Sequence, residues 1–342
     1  MNIHEDDKKA LKKRILHSVG RYKRRQRIKQ GTVILGCMLL AMSAGFYYYG
    51  GEQTSAIYKY AKTGTEDPDK NNSDVELIFS DGQGVVVSES DSAITYSKTG
   101  KEVRIGASRT ITQDKEQQGV AYNTLIVPYG RRSRVALSDG TVVWLNSGSK
   151  LVYPVAFTQK NREVYLEGEG IFDVAHNKDQ PFLVLADDHK IKVLGTVFNV
   201  SNYPEDSSVS TVLKSGSVEI AYKGDGLLKK EKTIRISPGT MTVYDKGSQQ
   251  MASREVDVEN YFSWKEGIFI FEGDRLDDIV KKLSRYYNVD IRIKNKTLAG
   301  QTFSGYLDLK NSVEQVISTI GKTTDFEYSR GGENQWIINQ KN

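Results

Sequence analysis

Three kinds of hydrophobic pattern follow one another along the chain. Leu11, Ile15, Val19 and Tyr22 recur at helical spacing in a stretch otherwise rich in lysine and arginine. This predicts a short amphipathic helix within a basic arm over residues 1–31. Residues 32–49, TVILGCMLLAMSAGFYYY, carry no charge. At about 1.5 Å per residue they would span ~27 Å, close to the ~30 Å hydrocarbon core of a bilayer, and they predict a single transmembrane helix. Residues 50–74 are polar, with Gly, Pro, Asn and Asp, and are expected to be a linker.

From 75 to about 255 the period changes to two. Val135/Leu137, Val164/Leu166, Phe172/Val174, Ile191/Val193, Phe198/Val200 and Val218/Ile220 alternate with polar residues, and turn signals separate such runs every 8–12 residues or so. The expectation is an all-β domain, a sandwich or a short solenoid. Two hairpins are expected to be alike, because LIFSDGQGVVV (77–87) echoes VALSDGTVVWL (135–145). Beyond YFSWKEG the pattern changes again. Leu276, Ile279, Val280, Leu283 and Tyr287 share one helix face; Val313, Val316, Ile317 and Ile320 share another; each helix lies between strand-like runs. Residues 265–342 are therefore expected to form an α+β module of two βαβ-like units. Asp274 is the expected cap of its first helix and Ser312 of its second. The fold class is mainly β: one transmembrane helix, an all-β domain and a C-terminal α+β module.

Charge orients this layout. Residues 1–30 hold eleven Lys/Arg and three Asp/Glu, net +8, whereas the whole chain is only +5. The body is thus slightly acidic, which argues against direct nucleic-acid binding by a broad basic surface. Arg21, Lys23, Arg24, Arg25, Arg27 and Lys29 directly precede the apolar run and are expected to hold the N-terminus in the cytoplasm, with residues 50–342 outside the inner membrane. One short helix cannot bury the arm's apolar stripe, which is expected to meet a partner protein or the anionic leaflet. The single cysteine, Cys37, excludes an internal disulfide, and the four histidines are scattered, so no metal and no cofactor are expected.

Candidate chemistry is sparse. Ser147-x-x-Lys150 has the spacing of a serine–lysine nucleophile pair, but both Lys-Thr-Gly triplets, at 62–64 and 98–100, lie upstream of it. Glu167 and Glu169 could in principle serve a glycan-binding or glycan-cleaving protein. The simpler reading makes them the solvated side of a strand beside glycines that allow a bulge. Asp139-Gly140 is expected to close a hairpin, with Trp144 and Leu151 as core anchors, residues 146–149 as a second turn, and Lys150 in solvent. No catalytic residue is assigned.

The blocks VPYGRRSRVALSDGTVVWLNSGSKLVYPVAF, REVYLEGEGIFDVAHNKDQPFLV, IKVLGTVFNVSNYPED, TVLKSGSVEI and ISPGTMTVY stand in fixed order over residues 127–244. They strongly resemble the FecR family, inner-membrane regulators of extracytoplasmic-function (ECF) sigma factors in Gram-negative bacteria. Asp139, Gly140, Trp144, Asn146, Gly168, Glu169, Gly195, Phe198 and Asn199 carry the resemblance. The tail is similar to the short N-terminal module of secretins and TonB-dependent receptors, which commonly follows FecR. The resemblance implies a relay. The signalling domain of an outer-membrane TonB-dependent transporter would touch the periplasmic part, and a sigma factor would be controlled in the cytoplasm. Many relatives carry several cytoplasmic helices; here about 31 residues precede the anchor, so either the single helix suffices, with Leu11, Ile15, Val19 and Tyr22 as the expected sigma-factor contact, or direct sigma binding is lost.

Overall fold

In the computed structural model the described residues are 5–49, 55–63, 74–88, 93–113, 120–187, 189–224, 231–324 and 326–341. The chain divides into two compact units, residues 1–55 and 56–342. In the first, Glu5–Tyr49 is one continuous helix of 45 residues, so the basic arm and the apolar run are a single rod. It includes one stretch, Lys12–Gly45, long and apolar enough to cross a membrane. Val19 and Tyr22 are exposed on it, while the side chains of Leu11 and Ile15 lie outside the described ones.

The second unit begins with a departure from expectation. Part of the stretch read as linker, Ala56–Thr63, is a helix whose Ile57 and Ala61 are buried against Val152, Tyr165 and Leu185. Its two apolar positions, four residues apart, sit on one face and meet a sheet. The flanking residues 50–54 and 64–73 lie outside the described ones.

Residues 75–255 form an 18-stranded assembly that folds into two facing sheets. The first runs Gly84–Val87, Val75–Ile78, Tyr122–Val127, Ser149–Pro154, residues 162–167, Phe182–Ala186, His189–Val193, Val218–Lys223, Glu231–Ile236. The second runs Arg109–Thr112, Glu102–Ile105, Ala93–Tyr96, Ser133–Ala136, Val142–Leu145, residues 168–173, Val197–Asn202, Ser208–Ser215, Thr240–Asp245, Gln250–Glu255. One long strand, Arg162–Asp173, therefore belongs to both sheets and changes between them at Gly168. Gly168 has φ 93°, and a Cβ there would lie 2.6 Å from Ser149 Cα and 2.8 Å from the Gly148 carbonyl, so only glycine fits the crossing. The two sheets enclose a continuous core in which Leu77, Leu125, Val143, Leu166, Phe172 and Phe198 are among the buried residues.

The two echoing hairpins do share a geometry. Phe79 N–H donates to Gln83 O (2.9 Å) and Leu137 N–H to Thr141 O (2.8 Å). Each loop ends on a glycine with positive φ, Gly82 at 85° and Gly140 at 88°. In each, the aspartate accepts from the N–H two residues on (2.9 Å in both). This is a three-residue loop whose last residue is left-handed, which the Ser-Asp-Gly order selects.

The C-terminal module packs on the outer face of the second sheet. Along residues 168–173 Phe172 points into the sandwich while Ile171 points out, and Ile171 joins Val212 in the module's own core. Both faces of that sheet are thus apolar, as burial on both sides requires. Helices Leu276–Tyr287 and Val313–Lys322 bury the predicted faces. The strands preceding them, Ile268–Arg275 and Thr302–Asp308, pair with each other. Those following them, Asp290–Ile293, Phe326–Gly332 and Gln335–Gln340, form a separate sheet. The two strand–helix–strand segments of the module interlock, each giving strands to both small sheets. Ser312 caps its helix in a capping box with Gln315. Asp274 does not cap the other: Arg275 holds the N-cap position, and Asp274 Oδ2 accepts from Glu272 N–H (2.9 Å) inside a strand irregularity.

Candidate functional site

The residues singled out in the sequence gather into three groups. In the first, Glu169 receives both amides at once: Asn146 Nδ2 donates to Oε2 (2.9 Å) and Asn199 Nδ2 to Oε1 (3.0 Å). Asn146 N–H donates to the Glu169 carbonyl (2.9 Å), and the Ser149 hydroxyl exchanges hydrogen bonds with the Glu169 backbone. These bonds tie the turn at 146–149 to the strand where it changes sheets. The expectation of a solvated Glu169 is corrected: it is half-buried and its carboxylate is engaged on both oxygens.

In the second group Asp139 does more than close its hairpin. It accepts from Thr141 N–H and Oγ1, and it pairs with Arg162 at 2.7 Å. Arg162 is 1% exposed and also donates to the carbonyls of Ala175 and Gln180 (2.8 Å each). Nothing in the local spacing marks Arg162, because its partner is 23 residues away. Gly195 lies beside the same loop; a Cβ would meet His176 Cα at 2.7 Å. Phe198 is fully buried and stacked on Phe172, ring centroids 5.2 Å apart.

Third, Lys150 is not in solvent. It is 2% exposed and pairs with Glu167 at 3.6 Å, and the Tyr165 hydroxyl donates to the same carboxylate (3.2 Å). A buried ammonium without a carboxylate would be too costly to keep charged, so the two residues require one another. Glu167 and Glu169 thus have separate partners, and Ser147 donates its hydroxyl to Arg131 O (2.8 Å). Trp144 is also corrected: it is half-buried on the sheet's outer face and packs against the C-terminal module, while its neighbours Val143 and Leu145 fill the sandwich core. Leu151 is buried in that core as expected.

Trp144 leads to the main feature, the joint between sandwich and module. Arg285, on the module's first helix, is 8% exposed. It donates to Glu205 Oε1 (3.0 Å) and Asp206 Oδ1 (2.6 Å) of the sandwich, and its guanidinium lies 3.7 Å from the centroid of the Tyr203 ring. Burial works against its charge, yet Tyr203, Asp206 and Glu205 outweigh that and raise its pKa above the ordinary guanidinium value. Burial likewise pushes Glu205 up, but Arg285 and the hydrogen bonds around the carboxylate hold it below the usual range. Tyr203 passes the contact inward: its hydroxyl donates to the Ser147 carbonyl (2.8 Å), inside the turn held by Asn146 and Glu169. From the other side Arg132 donates to Trp264 O (2.9 Å) and lies 4.8 Å from the Tyr286 ring centroid, while Gly130 N–H donates to Arg285 O (2.9 Å). The crevice bounded by Asn146, Glu169, Tyr203, Trp264 and Arg285 has a volume of about 40 Å³, room for a few waters and too small for an organic ligand. It is a joint, built for holding two bodies together. Among the described residues no group of three or more His, Cys, Asp or Glu could hold a metal ion.

The described residues thus comprise a helix long and apolar enough to cross a membrane, a sandwich with a shared strand and an α+β module clamped to that sandwich. The sandwich and the module each match a known family. Residues 123–219 match the family described as FecR protein, and residues 268–338 match FecR, C-terminal. Residues 123–338 thus carry a FecR domain followed by a FecR C-terminal domain. Two crystal structures of a candidate anti-sigma factor from Parabacteroides distasonis, at 1.65 Å and 2.50 Å resolution, superimpose with TM-scores of 0.58 and 0.59 at 28% identity. The matches cover 64% and 65% of this chain, and 99% and 100% of theirs. No curated protein matches the chain.

Proposed function

We propose that this FecR-like regulator is a single-pass protein of the inner membrane, with its N-terminus in the cytoplasm and residues 50–342 in the periplasm. Its partners are an ECF sigma factor inside and the signalling domain of an outer-membrane TonB-dependent transporter outside. It acts by binding rather than catalysis, and makes no direct nucleic-acid contact. The carrying observation is an order: a basic arm and a spanning-length helix, then FecR, then FecR C-terminal. The likeness to the Parabacteroides candidate anti-sigma factor supports the sigma-factor partner. Leu11, Ile15, Val19 and Tyr22 are the sigma-factor contact, because an apolar stripe on an arm this basic has no core of its own to enter. The transporter domain meets the C-terminal module, whose two-stranded sheet leaves the outer edge of Thr302–Asp308 without a further strand among the described residues.

The test is purification of the full-length protein from membranes. A sigma factor and a TonB-dependent receptor should co-purify. Replacing Leu11, Ile15, Val19 and Tyr22 by aspartate should remove the sigma factor and leave the receptor; retention of the sigma factor would sink the assignment of that stripe. Topology reporters after residue 30 and at the C-terminus check the orientation.

A further inference from the structure

A second, larger feature of the same seam is a groove of about 270 Å³, which Trp264 also lines. Its described lining residues include Arg131, Arg132, Arg134 and Lys265 together with Trp144 and Trp264, and no carboxylate is among those described. Four cations around one groove, on a body whose net charge is negative, is a concentration that composition alone does not predict. Their positions are also fixed. Arg134 and Lys265 lie 5.6 and 5.4 Å from the centroid of the same Trp144 ring, and Arg132 is held by the Trp264 carbonyl. Among the described residues, the carboxylate near Lys265 is that of the exposed Glu266, at 4.0 Å. Cations already ordered by indole contacts lose less conformational freedom on binding an anion than free lysines would.

Carboxylates supply bidentate partners for guanidinium. The groove also meets the end of an edge strand. Gly84–Val87 pairs only with Val75–Ile78 among the described residues, Val87 lines the groove, and Val86 is 60% exposed. An extended chain laid along that strand would run its next side chains toward the cations.

We propose that this groove binds an extended acidic segment of a partner protein, its carboxylates taken by Arg132, Arg134 and Lys265 and its backbone running from the Gly84–Val87 edge. The site goes beyond the regulator reading and stands whether or not a sigma factor binds the arm.

The test uses the full-length protein in nanodiscs of zwitterionic lipid, with a fluorescein-labelled Glu-Val-Glu-Val-Glu peptide as probe and Gln-Val-Gln-Val-Gln as its neutral counterpart. Anisotropy should give binding to the acidic peptide at least tenfold tighter than to the neutral one. The double variant Arg134→Glu, Lys265→Glu should lose at least tenfold. The arm variant Lys12→Glu, Lys13→Glu should bind as the parent does, which separates the groove from the basic helix. Lys265→Glu alone, at an exposed position, serves if the double variant does not fold, with at least a threefold loss expected. Equal binding of the two peptides, no loss in the groove variants, loss only in the arm variant, or a marked preference for an oligouronate over the peptide would each overturn the proposal.

Discussion

Replacing Arg285 by alanine should loosen the C-terminal module from the sandwich without touching the core of either. The variant removes two charge-assisted hydrogen bonds and the contact with the Tyr203 ring. Breaking a buried ion pair by removing one partner costs about 3–5 kcal/mol, and a partly desolvated cation–π contact adds roughly 1–2 kcal/mol. Those figures need reduction, because Glu205 is about half exposed and water replaces much of what it loses, whereas Asp206 is better covered. A net loss of about 2–4 kcal/mol is expected. The protein carries its own probe: all three tryptophans, Trp144, Trp264 and Trp336, lie in the module's core or against it. Urea unfolding of the full-length protein in nanodiscs, followed by tryptophan emission, should show a midpoint lowered by about 1–2 M at a slope near 2 kcal/mol per M. Arg285→Lys, which keeps the charge but loses the planar fork and the ring contact, should fall between. A midpoint within about 0.3 M of the parent for Arg285→Ala would refute the assignment of the joint to this residue.

Acid should open the same joint. Glu205 titrates below the ordinary glutamate range in the folded protein, so its contribution is present in full above that range and is lost as pH falls through its own lower value. Tryptophan emission recorded against pH should show an acid step that Glu205→Gln removes; an unchanged step would place the titrating group elsewhere. Ser312→Ala breaks the capping box and should cost about 1 kcal/mol in the module's urea transition, while Asp274→Ala, which caps nothing, should leave that helix's start unaffected. Asp139→Ala strands the buried Arg162 guanidinium and should destabilise the sandwich by about 3 kcal/mol; amide exchange in Arg162–Asp173 is the direct readout, and parent-like protection there would contradict the pairing.

Local patterns in the sequence carried much of the fold. The Ser-Asp-Gly loops needed only a left-handed residue at the third position, and both hairpins follow from that. The helix faces at Leu276–Leu283 and Val316–Ile320 were visible because 3.6-residue periodicity is a property of the segment itself. What the sequence concealed was decided by partners far along the chain. Lys150 reads as solvent-facing until Glu167 is placed beside it on the next strand. Trp144 alternates correctly, but alternation does not say which face is the core when a second body covers the other one. Arg285 sits in an ordinary-looking SRYY run, and its partners Glu205 and Asp206 are 80 and 79 residues away. The helix Ala56–Thr63 is too short for periodicity to separate from its polar surroundings.

The shared strand explains why the signature residues cluster where they do. Residues Arg162–Asp173 pass under both appendages of the sandwich: the Tyr165 ring meets Tyr58 of the helix Ala56–Thr63 at 5.8 Å between centroids, and Ile171 lies in the module's core. Between these two points come the Lys150–Glu167 pair, the crossing at Gly168 and the carboxylate of Glu169 held by two asparagines. A strand that changes sheets interrupts its ladder, and at that point it must be held by side chains. The turn at 146–149 supplies them, and Tyr203 connects that turn to Arg285. These chemically capable residues are thus the fastenings of one strand that spans the body from the helix on one outer face to the module on the other. Their polarity is spent on backbone and on one another, and the crevice bordered by Asn146 and Glu169 holds about 40 Å³.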